Sequence, residues 1–531
     1  MKTIYKTLSA LIVLFVFSAC DSYLDSDSAD LQIPKSVDDY APLLLGEAYP
    51  NTIGTDLSFA ELMTDDVEMG PLYYDEAFLM DSNYGNINHE IDMSAGYGEF
   101  AHMWAQDYSQ NLYDSYWKNR YHNILACNSI IEALPTMEGK EAQEDLYLKI
   151  AYQAHALRAF NYFCLINTYA KPYSQENLNE PGVIIRERPE LGIGPMPRAT
   201  IKEVYDLIDA DLAKAEEYME GANPKVTKYE FTKAAVLFLA TRVALFKGDW
   251  DKVIEQGTKF LRMNKAILDL NDFDQSKYGV YTSSSASDGF FINDINYDEV
   301  VWAFGRNDDY SKAHGYISPS SVTLYAFEFG FHTSWTSDNS LIKLYDEDDL
   351  RLKAYYIMPY RKTGSSLLPS YEHGQYHPNK CIWSFSSSNS HICSQAWRTP
   401  EIFISMAEAY AQKGDMDNAL SYLNRLREKK FVKGSVNAIK SRSDFSSKDA
   451  LVKFIWDERR RELSYEENMR FWDMRRQGMP AQTHYIYSSV NTFMTYELPM
   501  GSPNYVLPIP ASELDYNDGC TNNVRIVIGG K

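Results

Sequence analysis

The sequence predicts a mainly α-helical protein: helical hairpins form a scaffold, long irregular insertions interrupt it, and little β-structure is expected. Three observations predict this. A Gly-Asp turn between two helical patterns occurs twice, as KGDWDKVIEQGTKFL at 247–261 and KGDMDNALSYLNRLR at 413–427. Apolar residues recur at helical spacing through most of the flanking chain. Residues 263–397 lack that spacing and are rich in Tyr, Ser, Asp and Gly.

At the N-terminus, Lys2 and Lys6 precede an apolar run from Leu8 to Phe17. The run is too short for a membrane span, which needs roughly 20 apolar residues, and reads as a signal peptide. Small residues Ser18 and Ala19 then lead to Cys20, which resembles a bacterial lipobox, with Phe17 where Leu is usual. Cys20 is the expected lipidation site; an ordinary cleaved signal with an incidental cysteine is the alternative. Residues 21–35, with Asp21, Asp25 and Asp27, read as an acidic tether. Residues 36–531 read as one helical domain carrying a loop-rich insert at 263–397.

Ser36-Val37-Asp38-Asp39 opens a short helix toward Leu45 with an acid three residues after the cap. Residues 50–110 are irregular, broken by Gly and Pro. Helical patterns follow at 112–133 and 143–169, the second apolar almost all round by Phe160–Ile166, as in a buried helix. Thr200-Ile201-Lys202-Glu203 is a capping box, and Ile201, Val204, Tyr205, Ile208, Leu212 and Ala215 form one stripe behind it. A helix at 231–247 stops at Gly248, and Asp249 starts the next. Each Gly-Asp turn follows an Ala-rich helix, so both read as hairpins of tetratricopeptide (TPR) type. About four such hairpins are expected, and they must stack to bury their faces. Within the insert, DEVVWAF at 298–304 is the one strand-like run. Beyond the second hairpin, DERRREL sets Glu458 and Glu462 four apart around Arg459–Arg461, the pattern of a surface or inter-helix ion network.

Composition narrows function by exclusion. Against 51 Lys and Arg stand 73 Asp and Glu, a formal charge of −22. Nucleic-acid binding needs a basic footprint and is excluded as a main activity. No C-x-x-C pair occurs, so a structural zinc is not expected. Cys127 and Cys164 fall in helical patterns as buried thiols, while Cys381 and Cys393 are spaced to pair across a loop. His373 and His377 are four apart, but Gly374 and Pro378 break any helix that would align them as metal ligands. No nucleophile elbow, metalloprotease or phosphate-loop motif appears. The expectation is a binding protein, not an enzyme, with no cofactor beyond an optional structural calcium.

Six further stretches, taken in order with the N-terminal SVDDYAPLLLGEAY, resemble the SusD/RagB-type outer-membrane lipoproteins. They are IAYQAHALRAFNYFCLINTYA, GVIIRERP, PRATIKEVYDLIDADLAKA, RTPEIFISMAEAYAQKGDMDNALSYLNRLRE, DERRRELSYEENMRFWDMRRQG and YVLPIPASELDYN. The resemblance implies TPR-like helices packed against a SusC-like TonB-dependent transporter, and loops that hold a nutrient, most often a glycan. It also implies an outer-membrane, lipid-anchored protein facing the cell exterior. No fixed binding motif carries over, so ligand residues are chosen on chemistry. Aromatic faces stack on sugar rings, while amides and charged groups bind hydroxyls. The 50–110 segment offers Tyr73, Tyr74, Tyr84 and Trp104, and the insert offers Tyr281, Tyr325 and Trp335, with Asp66, Asn86 and Arg306 as polar partners. Trp117, Trp250, Trp302, Trp456 and Trp472 fall in regular elements and read as core. Three alternatives stay open: a lipid-anchored TPR scaffold without nutrient binding, a peptide-binding member of the same family, and a glycosidase on a helical framework.

Overall fold

A computed structural model of the protein describes residues 34–50, 58–71, 97–107, 109, 115–188, 194–279, 290–305, 329–334, 336–337, 339–357, 360–363, 366–369, 376–381, 391–489 and 492–531. The first helix, α1 (Val37–Leu43), opens on the expected capping box: the Ser36 side chain accepts the Asp39 N–H, and Asp39 accepts in return from the Ser36 backbone. Three long helices follow, α2 (Ser115–Ala133), α3 (Glu144–Tyr169) and α4 (Ile201–Gly221). The middle one packs on both of the others. Every residue of α3 from Ile150 to Tyr169 is buried, as its all-round apolar pattern requires.

The two Gly-Asp turns are structural repeats. Helices α5 (Lys233–Lys247) and α6 (Trp250–Met263) meet at Gly248, which has φ +70°. Helices α7 (Thr399–Gln412) and α8 (Met416–Lys430) meet at Gly414, with φ +83°. An L side chain is disfavoured at either glycine. In each turn the following aspartate caps the next helix, Asp249 accepting from the Lys252 N–H and Asp415 from the Asn418 N–H.

The hairpins stack through α6 on α7, across the whole insert in sequence. Gly257 sits at that contact, where a Cβ would stand 2.4 Å from Met406 Sδ. Gly257→Val should therefore wedge α6 away from α7 and lower the melting temperature, with overpacking costing about 1–3 kcal/mol. Adding Met406→Ala to that variant should recover part of the loss. If the double variant melts where the separate effects sum, the wedge is not at this contact.

Strands are few and pair in twos. β1 (Val67–Pro71) lies antiparallel to β3 (Phe329–Thr333), and β2 (Val300–Phe304) to β4 (Gln395–Arg398). A hairpin of β5 (Gln482–Ser489) and β6 (Thr492–Leu498) was not expected from sequence. The β2–β4 ladder sets Trp302 opposite Trp397, so the strand-like run of the insert lies beside the insert's C-terminal end. Both rings pack with Phe160 and Phe231 into an aromatic core between helices and insert. Trp117 and Trp472 are buried as expected, whereas Trp250 and Trp456 are half-buried.

Helices α9 (Lys448–Leu463) and α10 (Met469–Arg476) complete the scaffold. Of the two alternatives for Glu458 to Glu462, a surface or an inter-helix ion network, the structure shows the second: all five residues are buried, and Glu458 and Arg459 pair with residues of neighbouring helices. Glu462 accepts from Arg398 Nη1 at 2.7 Å, Tyr355 Oη at 2.9 Å and Arg351 Nη1 at 3.1 Å. Glu458 pairs with Arg351 at 2.8 Å, Arg461 at 2.6 Å and Arg427. Arg351 is held in turn by Asp349, and Arg398 by Glu299 and Glu466. Cys127 and Cys164 are buried free thiols, and Cys381 and Cys393 are also free, so no disulfide joins them. Among the described residues, no helix is long and apolar enough to cross a membrane.

Candidate ligand-binding site

The two irregular segments that sequence chemistry marks for ligand binding are joined by β1 and β3. Val67 faces Thr333 and Pro71 faces Phe329, so the 50–110 segment and the insert meet in one ladder. Side chains extend the junction. Ser334 N–H donates to Asp66 O at 2.7 Å, and Ser334 Oγ to Asp65 O at 2.7 Å. Thr336 Oγ1 donates to Glu68 Oε2, also at 2.7 Å.

Two arginines of the DERRREL–FWDMRR region clamp this junction from beneath. Arg460 donates from Nε to Asp66 Oδ1 at 2.5 Å and from Nη1 to Asn339 O at 2.8 Å, bridging both segments. Arg470 makes a bidentate pair with Asp65 at 2.7 and 2.8 Å. Burial works to raise the Asp65 carboxyl, but Arg460 and Arg470 outweigh it and hold it well below the usual carboxylate range. Tyr465 Oη, from the α9–α10 turn, donates to Asp66 O at 2.9 Å and lies 3.0 Å from Thr333 Oγ1. Glu61 lies nearby, buried, with neither carboxyl oxygen hydrogen-bonded. Burial, with the Asp66 charge adding to it, pushes its carboxyl well above the ordinary range, while Arg470 and Lys380 oppose that shift.

Two proposed ligand contacts are corrected. Trp104 is fully buried: its indole N–H donates to Met63 O at 3.1 Å and its ring stacks on His484 at 4.0 Å. Asp66 is fully buried in the arginine clamp. Both belong to the support of the junction, and burial keeps both from a sugar. Tyr73, Tyr74, Tyr84, Asn86, Tyr281, Arg306, Tyr325 and Trp335 lie outside the described residues, as do Cys20 and His373. Among the described residues no three His, Cys, Asp or Glu side chains gather to hold a metal. Sequence reasoning missed Arg460 and Arg470 as the residues that position this region. Their place in an Arg-rich helix was legible, but their partners lie roughly four hundred positions upstream.

A helical TPR-like scaffold with loop-bearing insertions defines the class of protein. The SusD family model matches residues 271–525, and a second model, described as starch-binding associating with outer membrane, matches residues 47–245. Together they span most of the chain, which is a SusD/RagB-type protein. It is 23% identical over 436 residues to SusD-like protein P2 of Formosa agariphila, covering 78% of this chain and 80% of that one. Among solved structures, a putative sugar binding protein from Bacteroides vulgatus superposes with a TM-score of 0.64 at 18% identity, covering 93% of this chain and 99% of that one. A SusD superfamily protein from Bacteroides thetaiotaomicron gives 0.63 at 16% identity, covering 92% and 100%. At such identities the structural likeness is one of fold.

Proposed function

We propose that this protein is a lipid-anchored lipoprotein on the outer surface of the outer membrane. In this reading it binds an oligo- or polysaccharide and delivers it to a SusC-like TonB-dependent transporter. The carrying observation is the β1–β3 junction, which unites two Tyr- and Trp-bearing segments on a scaffold of SusD/RagB type. The description of the family model at 47–245, starch-binding associating with outer membrane, supports both the glycan and the location. Likeness to a putative sugar binding protein supports the glycan. The lipobox-like Cys20 supplies the anchor and the acidic residues behind it the tether. Sugar stacking needs flat aromatic faces and asks nothing of an acid–base pair, so binding without catalysis accounts for the residues present.

Affinity electrophoresis of the full chain against a polysaccharide panel tests the ligand. At least one polysaccharide should retard it, and Ala at Tyr281, Tyr325 and Trp335 together should abolish the retardation. Failure of every polysaccharide would remove the glycan and leave a peptide. Delivery is tested by solubilising the outer membrane and purifying the protein: a large barrel should accompany it. Absence of any barrel would leave only a lipid-anchored TPR scaffold.

A further inference from the structure

Residues 181–188 run across the outer face of α2 and are tied to the helices beneath. Tyr121 Oη donates to Ile184 O at 2.8 Å, and Asn128 Nδ2 donates to Arg186 O at 2.9 Å. Tyr162 Oη donates to that same carbonyl at 2.8 Å and accepts the Arg186 N–H at 2.7 Å. The backbone of Arg186 is thus fixed at both its N–H and its C=O. Its side chain is half-buried, and among the described residues its guanidinium has no hydrogen-bond or ion-pair partner. An unpaired guanidinium on a fixed backbone stands out among the described residues, where the buried Arg242, Arg351 and Arg398 are ion-paired and Arg525 is bound to carbonyls.

Arg186 lines a cavity of about 270 Å³. Tyr121 supplies a half-buried aromatic ring, which packs on the buried Trp117 with ring centroids 4.9 Å apart. Lys118, Tyr121 and His122 stand three and four residues apart on one face of α2, so Lys118 and His122 flank the aromatic ring. The acid in the lining, Glu513, is already engaged: Oε2 accepts from Trp117 Nε1 at 3.1 Å and Oε1 from Asn517 Nδ2 at 2.7 Å. His122 meets Glu47 at 2.7 Å. Arg186 therefore brings an unpaired positive charge to the cavity beside the Tyr121 ring, in a protein whose net charge is −22.

We propose that this cavity is a subsite for a carboxylated sugar ring of the hexuronate class. The carboxylate takes the Arg186 fork, whose parallel N–H groups match its two oxygens, and the pyranose C–H face lies on the Tyr121 ring. The volume lies just below the roughly 300–1,000 Å³ of sites for drug-sized ligands, which suits one ring rather than an extended chain. A neutral hexose would leave the guanidinium unpaired, so the cavity discriminates by charge.

The test is ligand-observed NMR titration of the full chain with D-galacturonate, D-galactose and acetate. Galacturonate should bind about tenfold more tightly than either of the others, the worth of one charge-assisted pair or one stacked ring. Arg186→Gln should reduce galacturonate to the level of galactose, with unchanged melting because the native side chain touches no partner. Arg188→Gln, at an exposed neighbour, should leave binding intact. Galactose binding as tightly as galacturonate would overturn the carboxylate role, and acetate doing so would overturn the sugar. Undiminished binding by Arg186→Gln would overturn the site. None of these residues underlies the aromatic-segment reading above, so failure here leaves that reading untouched.

Discussion

Glu462→Ala should cost about 3–5 kcal/mol and shift the urea midpoint far more than any surface substitution, because it strips the anion from a buried cluster. The Glu462 side chain is fully buried and faces Arg351, Arg398 and Tyr355, with Lys430 Nζ 3.9 Å from Oε1. Without it, Arg351 retains Asp349 and Glu458, and Arg398 retains Glu299 and Glu466. Those acids are already committed, since Glu458 also meets Arg427 and Arg461, and Glu299 also meets Lys430. The cluster would hold uncompensated positive charge in a region water does not reach. Glu462→Gln keeps the volume and one acceptor oxygen, and should cost distinctly less. Lys202→Ala is the control: its pair with Asp206 is exposed at both ends, and the midpoint should not move measurably. A midpoint for Glu462→Ala near that control would mean the cluster is replaceable and only decorates the helices it joins.

The cluster shows where sequence reasoning stops. Helices were legible because apolar spacing, capping boxes and the two Gly-Asp turns are local signals. The capping boxes at Ser36 and Thr200 and the stops at Gly248 and Gly414 stand where the residues predict them. DERRREL gave the helix and its charges but not their burial. Burial depends on Glu299 and Asp349 from the insert and on Arg398 just after it, which arrive through long-range packing. The β5–β6 hairpin was hidden for a different reason: its inward positions include Gln482 and His484, so the strand does not alternate apolar with polar. His484 is accommodated because one ring N–H can donate to a backbone carbonyl, Nδ1 lying 2.8 Å from His102 O.

The candidate site was legible as chemistry but not as geometry. An irregular, aromatic-rich segment rightly drew attention to 50–110, yet irregular backbone is not necessarily exposed. Trp104 lies in such a stretch at φ +49°, and its carbonyl accepts from Asn504 Nδ2 at 2.7 Å, a contact 400 residues away in sequence. Asp66 was chosen as a hydroxyl acceptor, but its oxygen serves Arg460 instead. Both errors come from judging exposure by the absence of periodicity. Arg186 was passed over for the converse reason, since neither Arg of GVIIRERP carries a sign in the sequence that its neighbours leave it unpaired.

Acid should unfold the protein through the same cluster, with a sign that two variants separate. Burial pushes the Glu462 carboxyl up, but Lys430, Arg398, Arg351 and Lys380 outweigh it and hold it at about 2, against an ordinary 4.5. Glu458 is held well below its ordinary value against burial by Arg351, Arg427 and Arg461. A carboxyl depressed in the folded state stabilises fully above its unfolded value and loses that contribution as pH falls toward the folded one. The urea midpoint should therefore drop as pH falls from about 4.5 toward 2, and Glu462→Gln should make that drop shallower. Glu61 runs the other way. Burial, with Asp66 adding, raises it well above 4.5, so its contribution is complete below that value and fades as pH rises through the raised one. Glu61→Gln carries the neutral group permanently and should flatten the decline on the alkaline side while leaving the acid limb unchanged. Acid limbs of equal slope in wild type and Glu462→Gln would show that the carboxylates governing acid unfolding lie elsewhere. The crossed pattern, each variant flattening only its own limb, follows only if one acid is held charged by arginines and the other is held neutral by burial.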